Sequence, residues 1–334
     1  MSTTSSLVDL PTELLVEIVS YYPHPHEFLS PLLRHEHGLQ ERKDRQQVLR
    51  SLSQTCGVLR RLFLPALWER LEVSKGSLLR EEAVSSEVST SLLSYVKSIH
   101  VSTAEWPASD IEPIFLLVNL LKALPNVTGL QIYHNIAWEL VAAFAYAFAE
   151  ASFPSITELA VPDVLEQMFP SFPNVKTLAC PAIYAHSRVL SPAQQYFPHL
   201  EGISGLRLSK MLINQVRQHL PKLRAISVSS VVPPEDSDGR SHNHQPVEDD
   251  EDCRPMFTDL ALLRDFKHLE ELSLIYACAE RDALSLPALI SAGKDVLQHT
   301  SSKTFNKKLL RVWDWDWSKG FDVHPRVVYL EATV

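Results

Sequence analysis

Cysteine is scarce in this chain. Cys56, Cys180, Cys253 and Cys278 are scattered through 334 residues, and no two form a CxxC pair. That spacing argues against a zinc site or a disulfide framework. It fits thiols used as small buried groups in a reducing compartment, hence an intracellular location, cytoplasmic or nuclear. Basic charge is also in deficit: 31 Lys and Arg against 40 Asp and Glu, a net charge of -9. Nucleic acid is therefore not expected as a main partner, because phosphate binding needs clustered Lys and Arg. No apolar run approaches the roughly 18 residues of a membrane span. The nearest, LVAAFAYAFA at residues 140–149, is closed by Glu139 and Glu150 and reads as a buried helix. The start, MSTTSSLVDL, has neither a basic beginning nor a long apolar core, so no secretory leader is expected. GxSxG, P-loop, GxGxxG and HExxH motifs are all missing, so no enzyme chemistry, catalytic residue or cofactor is expected. His24, His26, His35 and His37 lie in a polar stretch without nearby Cys, and His242 and His244 lie in an acidic one. They read as solvated side chains, not metal ligands.

The apolar content, 45%, is ordinary for a globular protein. Its most informative distribution is at the start, in LVDLPTELLVEIVSYY (residues 7–22) and VLRSLSQTCGVLRRLFLPALWERLEV (residues 48–73). In the first, Pro11 suits a first helical turn, where its missing N–H costs little, and Glu13 complements the helix dipole. Leu14, Leu15, Ile18, Val19 and Tyr22 recur at helical spacing, and Pro23 and Pro25 end the helix. Residues 24–48 read as a polar insert. The second helix carries Leu49, Leu52, Cys56 and Leu59. Gly57 marks a turn within it, and Pro65 precedes a last short helix with Leu67, Trp68 and Leu71. Pieces this small and this apolar bury their excess against something else.

The order Leu10-Pro11, Leu14-Leu15, Ile18, Leu52 to Cys56 with Arg60-Arg61, then Leu67-Trp68, resembles an F-box, with the insert as its one departure. The resemblance implies that residues 1–75 dock on a Skp-family adaptor and, through it, a cullin ubiquitin ligase. The contacts would be Leu10, Pro11, Leu14, Leu15, Ile18, Leu52, Cys56, Leu67 and Trp68. Each fully buried Leu or Ile is worth roughly 1.5–3 kcal/mol, so a handful could hold a stable complex.

From residue 94 onward a motif recurs: an anchor, often proline, then apolar residues at +2, +5 and +7. Pro125 (PNVTGLQI), Pro154 (PSITELAV), Pro173 (PNVKTLAC) and Pro221 (PKLRAISV) begin the clearest copies. Ser94, Lys267 and Lys308 begin others, Pro325 a last one, and PHLEGISG at Pro198 is a poor copy with Gly205 at +7. The +5 and +7 residues share one strand face. Helical spacing follows at Pro113–Leu124, Trp138–Ala149 and Leu208–Leu220. Anchors lie 31, 29, 19, 25, 23, 46, 41 and 17 residues apart; the gap of 46 is two periods, or one plus an insert. Though its asparagines are mostly missing, the pattern resembles the irregular leucine-rich repeats that often follow an F-box. It implies an α/β fold over residues 90–334: a curved solenoid in which stacked strand–helix units bury faces that none could bury alone.

Residues 232–255 carry eight acidic and two basic residues, with almost no apolar ones, and read as a disordered, solvated loop. Near the end, Trp313, Trp315 and Trp317 alternate with Asp314 and Asp316. On a strand the indoles would form a buried ladder, leaving the two aspartates open to a basic ligand. The expectation is a substrate receptor of an SCF ubiquitin ligase, holding an unknown client on its repeats. The alternative is a repeat scaffold outside any ligase, whose N-terminal helices cap the solenoid and bury Leu14, Leu15 and Trp68 against it.

Overall fold

The computed structural model describes residues 11, 13–15, 17, 36–73, 91–133 (apart from 105 and 108), 136–180, 187–207, 209–229, 260–277, 286–299, 308–315 and 326–332. The chain divides into two compact units between Asn174 and Val175. Leu10, Ile18, the acidic stretch 232–255, Asp316 and Trp317 lie outside the described residues.

The first unit opens with helix α1 (Glu36–Thr55) and helix α2 (Gly57–Trp68). The polar insert read at 24–48 is thus helical from Glu36 on. That segment lacks an apolar stripe, but its Glu, Gln, Arg, Lys and Leu are strong helix formers, and propensity prevails over polarity. The two helices part at Cys56, whose backbone is extended (φ -157, ψ 168) and whose carbonyl accepts from Arg60 N at 2.8 Å. Pro65 does not start a new helix; it sits inside α2. Leu71 lies in strand β1 (Arg70–Val73), which pairs in parallel with β2 (Ser98–Ser102). Strands therefore begin within residues 1–75.

Strand β3 (Gly129–Tyr133) and strand β4 (Glu158–Ala160) continue the sheet in parallel, with Ile99, Leu130 and Leu159 in one register. Helices α3 (Glu112–Ala123) and α4 (Trp138–Phe148) form the crossovers, near the predicted spans. After β4 the 19-residue spacing leaves no room for such a helix, and a 3-10 segment (Asp163–Ser171) buries Leu165, Met168 and Phe169 instead. Phe144, Phe148, Phe153 and Phe172 pack through ring contacts of 5.7–6.3 Å, and Trp106 stacks on Phe144 at 6.4 Å.

The second unit repeats the plan with strands β5 (Thr177–Ala179), β6 (Gly202–Arg207), β7 (Ala225–Ser229), β8 (Glu271–Ala277) and β9 (Lys308–Trp315), each parallel to the next. Helices α5 (Leu190–Tyr196), α6 (Lys210–His219) and α7 (Leu286–His299) lie between them in sequence. Ser209 caps α6, its hydroxyl accepting from Leu212 N at 3.2 Å. Strand β7 pairs directly with β8, so the 46-residue gap holds one period plus an insert.

The motif's physics is visible in burial. Positions +2 (Val96, Val127, Ile156, Val175), +5 (Ile99, Leu130, Leu159, Leu178) and +7 (Val101, Ile132, Val161, Cys180) are all within 1% of complete burial. Asn126 and Asn174 donate from +1 to the preceding copy's anchor carbonyl, Ser94 at 2.6 Å and Pro154 at 2.9 Å. Position +3 forms a charge row: Glu69 meets Lys97 at 2.7 Å, and Arg224 bridges Glu270 at 2.7 Å and Glu201 at 3.9 Å. In the same register as Glu270, the buried Lys308 turns its ammonium to the Leu297 carbonyl in the last turn of α7.

Three copies behave differently from expectation. At Gly205 (φ +80) the register of β6 shifts between Ile203 and Leu206, so the buried Leu206 takes the place opposite Val228 that Gly205 was assigned. In β9, Leu310 pairs with Leu272 and Val312 with Leu274, so the true +5 and +7 residues fall three positions before those counted from Lys308. The burial alternation there runs through Lys308, Leu310 and Val312. Strand β10 (Arg326–Ala332) is antiparallel to β9 and is no further repeat. Residues 316–325 are too short for the crossover of a dozen or more residues that a parallel strand needs.

Candidate adaptor-docking site

A small helical core organises the N-terminal segment. Leu15, Leu49, Leu59 and Phe63 are at most 4% exposed and pack together, with Leu52, Cys56, Leu62, Ala66 and Leu67 against them only partly buried. Leu59 and Phe63 stand four apart on one stripe of α2, while Val58 and Leu62 form a second stripe beside it. Val58 is 52% exposed and Leu14 is 45% exposed. The Pro11 carbonyl accepts from Leu14 N at 3.0 Å and Leu15 N at 3.2 Å, closing the helical turn expected there.

The paired leucines thus divide their work: Leu15 fills the core and Leu14 faces outward. Pro11 is exposed, and Leu52, Cys56, Leu67 and Trp68 are half-buried. Leu10 and Ile18 lie outside the described residues. Sequence reading missed Val58, Leu62 and Phe63; the i, i+4 spacing in GVLRRLF was the available signal. A rim of exposed Leu and Val around four buried side chains can do no bond chemistry. It can bury apolar area against a partner.

For the second candidate surface, Asp314 lies on β9, where its backbone aligns with Tyr276 and Arg326. Its companion Asp316 is outside the described residues. Among the described residues, no three His, Cys, Asp or Glu side chains gather as metal ligands would, and no helix is long and apolar enough to cross a membrane. His37 falls in the first turn of α1, and the other histidines weighed as ligands lie outside the described residues.

Residues 2–83 match the family model of the F-box-like domain. The chain therefore carries an F-box-like domain at its N-terminus, and the parallel strand–helix copies that follow give it a leucine-rich-repeat-like α/β architecture. Among solved structures, the leucine-rich repeat-containing protein LegL7 from Legionella pneumophila is similar at 13% identity, with a TM-score of 0.35, over 76% of this chain and 88% of that one. No curated protein matches the sequence.

Proposed function

We propose that this chain is the substrate receptor of an SCF-type ubiquitin ligase. F-box domains generally bind Skp-type adaptors, which connect them to a cullin. The observation that carries the reading is the coincidence of the F-box-like match with an apolar rim that the chain leaves open, Leu14 at 45% and Val58 at 52% exposure. The receptor performs no chemistry. It holds a client near the transfer centre and raises its effective concentration there, the logic of linked binding sites. The repeats carry the client, inside the cell.

A second reading has its own support. Residues 66–73 run directly from α2 into β1, so the helices adjoin the first strand as a cap would. That scaffold reading requires Leu14, Leu15 and Trp68 to be buried against repeats. Leu14 is exposed, Leu15 packs among the helices' own residues, and Trp68 is half-buried.

Co-purification with a Skp-family adaptor separates the two. Leu14→Asp with Val58→Asp alters exposed side chains, so the chain keeps its far-ultraviolet circular dichroism while adaptor capture is lost. Capture that survives the double substitution, or a wild-type chain that ignores the adaptor, defeats the proposal.

A further inference from the structure

The helix read as buried, α4, is only half so. Leu140, Phe144 and Phe148 face the core, but Trp138 is 79% exposed and Tyr146 is 76% exposed. Trp138, Ala142 and Tyr146 follow one another at i, i+4, i+8, so the two rings line one stripe with a small residue between them. The neighbouring helix adds Phe115, whose ring meets that of Tyr146 edge-on at 6.2 Å, and Ile111 beside it is 47% exposed. Aromatic rings left this open on a surface helix, where Glu or Lys would form the helix as well, mark a contact surface.

The charge around the rings says what they contact. Glu139 adjoins Trp138, Glu150 lies four residues beyond Tyr146, and Glu112 lies three before Phe115; all three are exposed. From residue 103 to 174 the sequence holds eight Asp and Glu against Lys122 and no Arg. The stretch thus carries a net charge of -7, and the aromatic rings lie within it. An exposed aromatic face in so acidic a segment suits Lys or Arg: the cation stacks on the ring quadrupole while the surrounding carboxylates attract its charge.

We propose that the outer face of α3 and α4 binds a Lys/Arg-rich polypeptide segment, with basic side chains seated on Trp138 and Tyr146. Eight residues of helix separate the two rings by about 12 Å. An extended partner spans that with basic residues four positions apart, about 13 Å. Ala142, exposed between the rings, adds no side chain beyond Cβ to obstruct the aliphatic stems. The surface stands whether or not the chain serves a ubiquitin ligase, since its test needs no adaptor.

The test is titration of the full-length chain with a labelled synthetic peptide of about a dozen residues, two Arg four apart in a Gly/Ser/Thr background. Counterparts carry Glu or Leu at the two Arg positions. The Arg peptide binds in preference to both, and more weakly as salt rises. Trp138→Ala with Tyr146→Ala weakens it about tenfold or more. Glu139→Gln with Glu150→Gln keeps the rings and weakens binding too, so a folding defect in the ring variant leaves the proposal open to refutation. Equal binding of the Leu peptide overturns it. So does an Arg-peptide affinity indifferent to both double variants, which would place the contact elsewhere on this acidic chain. Self-association of the chain that Trp138→Ala abolishes overturns it as well, because the occupant is then a second copy.

Discussion

Replacing Gly205 by alanine tests the packing of the second unit at its most constrained point. Gly205 has φ +80, where a side chain costs about 1–2 kcal/mol. A Cβ built there would lie 1.9 Å from the Cys180 carbonyl oxygen and 2.8 Å from its carbon. Ordinary carbon contacts begin near about 3.5 Å, so the end of β5 must retreat by more than about 1 Å. That movement breaks the Cys180 N to Ser204 O hydrogen bond, now 3.0 Å, at about 1 kcal/mol. It also loosens Leu206 and Val228, both at most 4% exposed. The total is about 3–5 kcal/mol, a fall of roughly 6–20 °C in the melting temperature for a unit of this size. Two other glycines calibrate the scale. At Gly202 a Cβ meets Ala225 at 3.5 Å and Thr177 at 3.6 Å, ordinary contacts, so alanine there changes stability by less than about 1 kcal/mol. At Gly293 on α7 it meets Leu310 at 2.7 Å and Leu274 at 3.2 Å. Those are ends of flexible side chains, and the gain in helix propensity offsets part of the crowding, leaving a loss of about 0–2 kcal/mol. Urea unfolding of the three variants should rank them Gly202, Gly293, Gly205 from mildest to most severe. A Gly205→Ala protein as stable as Gly202→Ala would refute the account of the β6 bulge.

Two further outcomes follow from side chains along the strands. Burial raises the carboxyl pKa of Glu271 and outweighs the opposing pull of Arg311, with which it pairs. The folded chain then holds this proton more tightly than the unfolded one. Its contribution to stability is complete below the ordinary value of 4.5 and fades as pH rises through the higher folded value. Glu271→Gln should therefore gain on wild type as pH rises from about 4 towards neutrality, read by urea unfolding across that series; a loss instead would mean that the Arg311 pair dominates. Asn126→Ala and Asn174→Ala each remove one anchor-to-anchor hydrogen bond and should each cost about 1 kcal/mol. At two strand spacings, about 10 Å, their effects should add in the double variant; strong non-additivity in thermal melts would show that the copies are coupled through more than nearest neighbours.

Much of the fold was legible because stacked strand–helix copies impose a local rule. Where +2, +5 and +7 are apolar after an anchor, burial follows, since neighbours in sequence are neighbours in the sheet. The same rule explains its own errors. Lys308 mimicked an anchor three residues late, and only pairing with β8 fixes the register. Pro325 mimicked another, and only the short connection behind it shows that the strand must turn back. Residues 36–47 hid their part of the first helix because a polar sequence carries no apolar period, although its residues favour helix one by one.

The docking site divides in the same way. Composition and the Leu-Pro, Leu-Leu, Cys and Leu-Trp order were enough to mark residues 7–22 and 48–73 as apolar segments resembling an F-box, because that information is local and chemical. Which leucine of the pair is spent on the core was not in the sequence. Leu14 and Leu15 are the same residue side by side, and only the packing of Leu49, Leu59 and Phe63 decides that Leu15 is enclosed and Leu14 left open. The same holds for α4. Its string of apolar residues predicted burial, but a helix set against a sheet hides one face, and the tertiary arrangement left Trp138 and Tyr146 on the other.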